Sequence, residues 1–231
     1  MNTLKKIGIF LVLIMIFPVK IGECITGKTF PETVPLPESQ YDSSSSVESA
    51  LLKRRSIRTY SDEPITLAEV SQLLWAAQGV THHRNFRTAP SAGALYPLEI
   101  YIVAGKVAGL AAGIYKYKPN PHELLKIVDG DKRAQLSRAA LNQTAVKNAP
   151  IVILFSAVYH RTTVKYGQRG IRYAFIEVGH SAQNVCLQAV SLGLGTVPIG
   201  AFNDHKVKKI LNCEVHEEPV YIMPVGRLRN K

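Results

Sequence analysis

The sequence predicts an α+β fold, a single layered domain in which helices flank a central mixed or antiparallel sheet. Two observations support this prediction. The strands Gly113–Lys118 and Glu123–Val128 are joined by the tight turn Pro119-Asn120-Pro121, which indicates a hairpin. The uninterrupted apolar run Ile151–Ala157 is typical of a strand that is covered on both faces. The longest helix, Tyr173–Leu192, is apolar nearly all round and is therefore expected at the centre of the domain.

The first 27 residues differ in character from the rest of the chain. Lys5 and Lys6 precede the apolar run Ile7–Phe17, a pattern typical of a secretory signal and short for a membrane span. Residues 1–27 are therefore predicted to be a signal peptide, with an uncleaved membrane anchor as the alternative. Either predicts an exported or membrane-anchored protein, and the protein is cytoplasmic if the segment is not used.

Residues 28–46 are rich in Pro, Ser and Glu and are expected to form an exposed linker. The folded domain is then expected over residues 47–231. Within it, the helix Thr66–Gln78 combines one apolar face with a capping box formed by Thr66 and Glu69, and Gly79 ends it. The other predicted elements are the helices Val47–Lys53, Asp131–Leu141 and His205–Leu211, the strands Glu99–Ala104 and Pro219–Val225, and a short strand within residues 193–200.

Composition narrows the function classes. With 231 residues, 46% of them hydrophobic, the chain can bury a core without disulfide bonds. The net charge of +11 is compatible with an anionic ligand or with nucleic acid. The basic residues are spread over the chain without interleaved aromatics, so nucleic acid is not an expected partner. Cys24, Cys186 and Cys213 lack paired spacing, and His82-His83 lacks partners at ligand spacing, so no metal site is predicted.

The strongest binding signal is the segment Arg54-Arg55-Ser56-Ile57-Arg58, which follows the first predicted helix. Three guanidinium groups and a hydroxyl in five residues can hold one phosphate from several sides. Taken alone, the segment is better explained as a solvated basic turn at a helix C-terminus. The other segments of the chain are needed to distinguish a phosphate-binding segment from a solvated turn.

Two loops of small residues and one further arginine favour a planar, phosphorylated ligand. The loops are Pro90-Ser91-Ala92-Gly93 and Val197-Pro198-Ile199-Gly200-Ala201, which offer backbone amides and close approach. Arg227 follows the last predicted strand and can supply another cation. No GxGxxG motif opens a helix after a strand, so a dinucleotide-binding fold is not predicted.

These stretches resemble the FMN-dependent nitroreductase family, in particular its SagB/ThcOx-type dehydrogenase branch. The resemblance rests on RRSIRTYSDEPITLAEVSQLLWAAQG at 54–79, RTAPSAGALYPLEIYIV at 87–103, GIYKYKPNPHELLKI at 113–127, KYGQRGIRYAFIEVGHSAQNVCLQAVSLGLGTVPIGAF at 165–202 and VGR at 225–227. PSAGALYP followed by RYAFIEVGHSAQN is its most specific part. It implies an intertwined homodimer with two FMN sites at the subunit interface.

The resemblance also implies a role for each segment. Arg54, Arg55, Ser56, Arg58 and Arg227 would hold the FMN phosphate and ribityl chain. Pro90, Ser91, Ala92 and Gly93 would line the isoalloxazine edge, and Pro198, Ile199, Gly200 and Ala201 would lie along the ring. The backbone N–H of Gly200 or its neighbour would donate to flavin N5, the atom that accepts and gives hydride. Ala94 stands where many family members have an asparagine, a departure that favours the SagB-like branch.

The implied activity is a ping-pong oxidoreductase that passes hydride through flavin N5 to or from a small molecule, with NAD(P)H as a transient electron donor. The alternatives are an azoline dehydrogenase acting on a modified peptide and a non-enzymatic flavin-binding protein. In the azoline-oxidising branch a Lys-Tyr pair acts in proton transfer, and Lys165-Tyr166 occupies that place here. A lysine with a lowered pKa and a tyrosine partner are chemically suited to that role.

Overall fold

The computed structural model describes residues 32–229, so the predicted leader, residues 1–27, lies outside them. The first elements are β1 (Thr33–Pro35), α1 (Val47–Lys53), β2 (Ile65–Thr66), α2 (Leu67–Gln78), β3 (Leu98–Ala104), β4 (Val107–Ala108), β5 (Gly113–Lys118) and β6 (Glu123–Asp129). They are followed by α3 (Arg133–Ala139), α4 (Thr144–Asn148), β7 (Ile151–Ala157), α5 (His160–Tyr166), α6 (Arg169–Ser191), β8 (Leu194–Thr196), α7 (Asp204–Leu211) and β9 (Glu218–Arg227). None of the helices within 32–229 is long and apolar enough to cross a membrane.

Seven strands form one sheet in the order β1-β6-β5-β3-β7-β9-β8. Each neighbouring pair in this sheet is antiparallel. β2 and β4 form a separate parallel pair. The predicted α+β class is therefore confirmed, and the main sheet is antiparallel throughout.

The central strand β7 has a hydrophobic core on each of its faces. Ile153 and Phe155 pack into the core formed with α2 and α6, whereas Val152 and Leu154 pack into the core formed with α3, α4 and α7. Neighbouring residues of a strand point to opposite faces, so an uninterrupted apolar run is what a doubly covered strand requires. The interpretation of Ile151–Ala157 as such a strand is confirmed.

The helix α2 begins as the sequence predicts. The Thr66 hydroxyl accepts a hydrogen bond from the Glu69 amide at 3.2 Å, and the Glu69 carboxylate accepts one from the Thr66 amide at 2.7 Å. This is the reciprocal capping box, which satisfies two amides that the helix itself leaves unpaired. Gly79 is the C-terminal cap.

The helix α6 differs from the prediction in two respects. It begins at Arg169, four residues before the predicted start, and it is not buried on all sides. One face stays exposed, and the side chains of Phe175 and Ile176 on it are 51% and 48% accessible. The reason is that α6 covers the sheet with one face only; on the opposite face Phe175 contacts the Tyr159 ring, 5.7 Å between centroids, yet stays half exposed. We call this surface the open face of α6; it comprises Arg172, Phe175, Ile176, Gly179, His180 and Gln183.

Part of the segment expected as an exposed linker, residues 28–46, instead belongs to the folded unit. β1 pairs with β6 at the edge of the sheet, and Leu36 is buried after it. The Gln72 side chain then exchanges two hydrogen bonds with the Gln40 backbone, at 2.8 and 2.9 Å. A strand of three residues beside prolines carries no readable periodicity, which is why the sequence did not indicate it.

The helix α5 lies in a segment that has no clear helical pattern in the sequence. It lacks a side-chain cap at its start, so the usual N-terminal signal is missing. Its position is fixed by tertiary contact, because the buried Thr162 hydroxyl donates to the Gly170 carbonyl at 3.0 Å. This bond joins α5 to the beginning of α6.

A buried ion pair braces the middle of the sheet. Lys116 on β5 contacts Glu217 at 2.6 Å, and the same carboxylate accepts hydrogen bonds from Tyr101 at 2.6 Å and Ser156 at 3.0 Å. Burial alone would raise the pKa of Glu217, but these donors hold it below the ordinary value. Because each charge is paired and hydrogen-bonded, the sheet can bury the pair.

Candidate functional site

The basic segment Arg54–Arg58 lies beside the edge strand β8. The Ile57 amide donates to the Thr196 carbonyl at 3.0 Å, and Ser56 forms a parallel bridge with Thr196. β8 in turn pairs with β9, which sets Leu194 opposite Arg227. The fold therefore brings the basic segment, Arg227 and the start of the Val197–Ala201 loop to one edge of the sheet.

The side chains of this segment differ in whether they already have hydrogen-bond partners in the protein. The Arg55 guanidinium folds back onto the end of α1, donating to the carbonyls of Leu52 and Arg54 at 2.8 Å each. Within residues 32–229 the side chains of Arg54, Ser56 and Arg58 form no hydrogen bond or ion pair. These three donors are consequently available to a ligand.

Arg227 is already engaged. Its guanidinium donates to the Pro64 carbonyl at 3.1 Å and to the Glu69 carboxylate at 3.0 Å, and it lies 3.6 Å from Glu63. The capping box of α2 thus also holds this arginine. Its predicted contact with a phosphate stays a prediction.

The Val197–Ala201 loop offers a free backbone donor. Ile199 is not that donor, because it exchanges two backbone bonds with Ile222, at 2.8 and 2.9 Å. Across residues 32–229, the Gly200 amide has no acceptor, and a β-carbon placed on Gly200 would meet only the Tyr221 ring, 3.8 Å away. The predicted donor at this loop therefore narrows to Gly200 or Ala201. The other predicted residue of the loop, Pro198, is half-buried.

The Pro90–Gly93 loop continues into a strained backbone. Gly93, Ala94 and Tyr96 have φ values of +63°, +54° and +45°. Left-handed backbone costs a residue with a side chain about 1–2 kcal/mol, so such a run persists only where its surroundings hold it. Ser91 contributes to this, since its hydroxyl accepts a bond from the Tyr96 amide at 2.9 Å, while Ala92 begins a single 3₁₀ turn.

Two arginines hold this loop from outside. Arg161 of α5 donates to the Tyr96 carbonyl at 2.9 Å and forms an ion pair with Glu99. Arg87 lies over the Tyr96 ring, 4.4 Å from its centroid, a favourable cation–π contact. Neither arginine was assigned a role from the sequence.

The structure places Lys165 and Tyr166 against the same loop. A β-carbon on Gly93 would lie 2.8 Å from the Tyr166 hydroxyl and 3.0 Å from the Lys165 ammonium. Lys165 is exposed to solvent, and Tyr166 packs edge-on against Tyr173 at 5.1 Å between ring centroids. The lysine and tyrosine singled out in the sequence therefore converge with the Pro90–Gly93 loop on one small region.

A buried carboxyl group that the sequence reasoning missed lies behind this loop. Glu177 of α6 is 2% exposed; its Oε1 accepts a bond from Gln78 at 3.2 Å, and its Oε2 has no partner among residues 32–229. Gln78 also accepts a bond from Arg87 at 3.1 Å. The sequence did hold a signal, since Glu177 falls on the buried face of α6 between Ala174 and Ser181.

Burial raises the pKa of Glu177 to about 7, although Ser91, Gln78 and the Arg87 charge act in the opposite direction. Burial lowers the pKa of Arg87, while the Glu99 charge raises it and the Arg161 charge lowers it.

The burial of Cys186, on the same helix as Glu177, raises its pKa to about 11, and the nearby charge of Arg54 acts in the opposite direction. Cys186 is therefore a thiol and not a thiolate at neutral pH.

Within 32–229, no group of three or more His, Cys, Asp or Glu side chains is placed to hold a metal ion. The rings of His82 and His83 lie beside each other, 3.9 Å between centroids.

The raised pKa of Glu177 makes a prediction about stability. An unfolded glutamate loses its proton near pH 4.5, whereas folded Glu177 keeps it until about pH 7. Because the folded state binds the extra proton, its free energy of unfolding should fall by about 3 kcal/mol between those values and then level off. Chemical denaturation of wild type and Glu177→Gln across this range should show that the free energy of unfolding of the variant rises relative to that of wild type as the pH rises.

Glu38→Gln, which alters an exposed carboxylate, is the matched control and should show no such trend. A difference between Glu177→Gln and wild type that is independent of pH would contradict the raised pKa.

Three comparisons with known proteins point to one family. The model of the Nitroreductase family matches residues 51–227. A Methanocaldococcus jannaschii protein named as a nitroreductase is 51% identical over 181 residues, which cover 78% of this chain and 90% of that protein. A crystal structure from Ralstonia eutropha, also named as a nitroreductase, matches 86% of this chain and 90% of its own, at 28% identity and a TM-score of 0.76.

Two more distant relatives carry names that state a role. The FMN reductase (NAD(P)H) of Bacillus subtilis is 25% identical over 191 residues, which cover 78% of this chain and 62% of that protein. The Microcin B17-processing protein of Escherichia coli is 26% identical over 133 residues, which cover 55% of this chain and 49% of that protein. This chain thus spans less than two thirds of either one. On the family match and the identity to the Methanocaldococcus protein, the chain belongs to the nitroreductase family.

Proposed function

We propose that this protein is an FMN-dependent oxidoreductase of the SagB/ThcOx-type dehydrogenase branch, which passes hydride between two small molecules in turn. The observation that carries the proposal is the bridge between Ser56 and Thr196, because it sets the basic segment Arg54–Arg58 directly beside the Val197–Ala201 loop. A segment that could hold a phosphate and a loop with a free backbone amide, at one edge of the sheet, suit a flavin mononucleotide.

The residues at this edge fit FMN. Arg54, Ser56 and Arg58 present uncommitted donors of the kind that binds a phosphate dianion. Gly200 adds a backbone amide without an acceptor, in space that no side chain fills. The phosphate and ribityl chain would be held by the basic segment, and the loop would lie along the ring. Bound there, FMN would supply two-electron chemistry that amino-acid side chains lack.

Lys165 and Tyr166 are proposed to hold or move a proton on the substrate. Their ammonium and hydroxyl groups converge on Gly93, and α5 is fixed there by Thr162 and Arg161. Because Lys165 is exposed, it can exchange its proton with water between turnovers. Pro90, Ser91, Ala92 and Gly93 are proposed to line the edge of the isoalloxazine ring, as the family resemblance implies.

We further propose a homodimer. The open face of α6 exposes Phe175 and Ile176, and α1 exposes Val47, Leu51 and Leu52, of which Leu52 is 73% accessible. Exposed apolar side chains on two helices that contact each other are typical of a protein interface. A second copy of the chain would cover both helices. The electron donor proposed is NAD(P)H, in line with the name of the Bacillus relative.

Two alternatives remain. An azoline dehydrogenase acting on a modified peptide is favoured by the Lys165-Tyr166 pair and by similarity to a peptide-processing protein. A non-enzymatic flavin-binding protein would take up FMN without turning over any donor and acceptor. Export or membrane attachment through residues 1–27 is likewise a proposal, which rests on Lys5, Lys6 and the apolar run after them.

Replacement of Arg54 and Arg58, whose side chains have no partner among residues 32–229, tests the assignment of the FMN site. Arg54→Ala with Arg58→Ala should weaken FMN binding about a hundredfold, because charge-assisted hydrogen bonds contribute roughly 1.5–3 kcal/mol each. Titration of FMN fluorescence measures the affinity, and circular dichroism checks the fold. Arg138→Ala with Lys147→Ala removes two exposed charges elsewhere and should leave the affinity unchanged. Equal affinities in both double variants would refute the assignment.

A matched pair of glycine variants tests the proton-transfer region. Gly93 and Gly109 both have positive φ, +63° and +81°, so alanine should destabilise either position by about 1–2 kcal/mol. Only at Gly93 would the new β-carbon meet Lys165 and Tyr166, whereas Gly109 has open space. Steady-state turnover should therefore fall in Gly93→Ala and not in Gly109→Ala.

Lys165→Ala completes this test. It should reduce turnover by about a hundredfold or more, the usual contribution of a positioned proton donor or acceptor, with FMN uptake retained. Undiminished turnover with both nitroaromatic and azoline-peptide substrates would remove Lys165 from the mechanism.

A further inference from the structure

A separate cleft adjoins the strained loop. It has a volume of about 550 Å³ and lies between the GALYP loop (Gly93–Pro97), the turn after β5 and α5. Four cationic side chains line it: Arg84, Arg87, Lys118 and Arg161. Arg84 and Arg87 come from one loop, Lys118 from the end of β5 and Arg161 from α5, so the three segments meet only in the folded protein.

The positive charge in this cleft is not neutralised by its surroundings. Its one carboxylate, Glu99, is already paired with Arg161 and lies 3.3 Å from Lys116. Within residues 32–229, the side chains of Arg84 and Lys118 form no hydrogen bond or ion pair. The cleft therefore holds more cationic donors than its own acceptors can satisfy.

Arg87 adds an unpartnered donor at the wall of the cleft. Its Nε is buried and has no acceptor among the described residues, although its terminal nitrogen bonds Gln78. Burial lowers the pKa of Arg87, which shows that desolvation of this guanidinium is only partly compensated. A buried donor without an acceptor is costly, and it adds to the excess of donors over acceptors beside the cleft.

The cleft is continuous with the proton-transfer region through α5. Arg161 faces the cleft and Lys165 faces Gly93, and residues four apart on a helix have side chains roughly 5–6 Å apart. Ala94 lines the cleft directly after Gly93. A molecule with its reacting part at Gly93 could thus extend into the cleft by one helical turn.

We propose that this cleft is a substrate subsite that binds an anionic group, a carboxylate or a phosphate, through Arg84, Arg87 and Lys118. The reacting part of the same molecule lies at Gly93, beside Lys165 and Tyr166. The proposal rests on the proposed oxidoreductase function and specifies the substrate class: a molecule that carries an anionic group in addition to its reacting centre. The anion belongs either to an organic acid that is reduced or oxidised, or to the additional phosphate that distinguishes NADPH from NADH.

Two probe pairs that differ by one anionic group separate these sources. 4-Nitrobenzoate and 4-nitrobenzamide are compared as electron acceptors, and NADPH and NADH as electron donors, with FMN-loaded protein. In the double variant Arg84→Gln/Lys118→Gln, the KM of the compound that carries the extra anionic group, in one of the pairs, should rise about tenfold relative to the KM of the other compound of that pair. The pair that responds identifies the source of the anion.

A second cationic cleft provides the control. Lys132 and Lys209 lie in a cleft between α3 and α7 that is also lined by Arg138 and Lys206 but contacts none of the site residues. Lys132→Gln with Lys209→Gln removes the same charge, so it corrects for the general electrostatic attraction of a basic protein. Both KM ratios should be the same in this variant as in wild type.

Calorimetric titration with inorganic phosphate measures anion binding at the subsite in the absence of turnover. Phosphate should bind the FMN-loaded protein about tenfold more weakly in the Arg84→Gln/Lys118→Gln variant than in the control variant. Equal phosphate binding in the two variants, or KM ratios unchanged in both probe pairs, would overturn the subsite. A protein that takes up no FMN and turns over no probe would overturn the proposed function instead, while phosphate titration would still decide the anion site.

Discussion

The hydrogen bond from the Ile57 amide to the Thr196 carbonyl is the interaction on which the candidate site depends. It fixes the basic segment to the free edge of β8, and β8 is in turn fixed by β9 to the centre of the sheet. Gly195 permits this close pairing, because a β-carbon there would lie 2.7 Å from Ile57. Ser56 and Thr196, which are 140 positions apart in the sequence, thereby come together at one edge of the sheet.

The strained loop after Gly93 is held by charge. The strained backbone at Ala94 and Tyr96 is costly, and Arg161 secures it through the Tyr96 carbonyl. Arg161 is itself paired with Glu99 on β3, which lies 3.3 Å from Lys116 on β5. Because Lys116 also pairs with buried Glu217, the loop is braced by a chain of alternating charges that ends in the core. Under the proposed function, a rigid loop would hold Lys165 and Tyr166 at a defined distance from a substrate.

The sequence was most informative where a local pattern determines the structure. The capping box at Thr66, the apolar strand Ile151–Ala157 and the hairpin turn at 119–121 each have a short-range physical cause, and all three were predicted. Glu177, Arg87 and Arg161 could not be assigned roles in this way, because their roles arise from contacts between distant segments. The helix α5 was missed since it lacks a cap, and the open face of α6 because a sequence of apolar residues does not reveal which of them the same chain covers.

The central claim is that the basic segment and the Gly200 loop form the two ends of one FMN site. A crystal structure of the protein grown with FMN tests it most directly. We predict that the phosphate lies within hydrogen-bonding distance of Arg54, Ser56 and Arg58, and that the ring lies beside Gly200, whose amide is directed at the flavin. FMN bound elsewhere on the chain, or with its phosphate away from these three side chains, would contradict this FMN site.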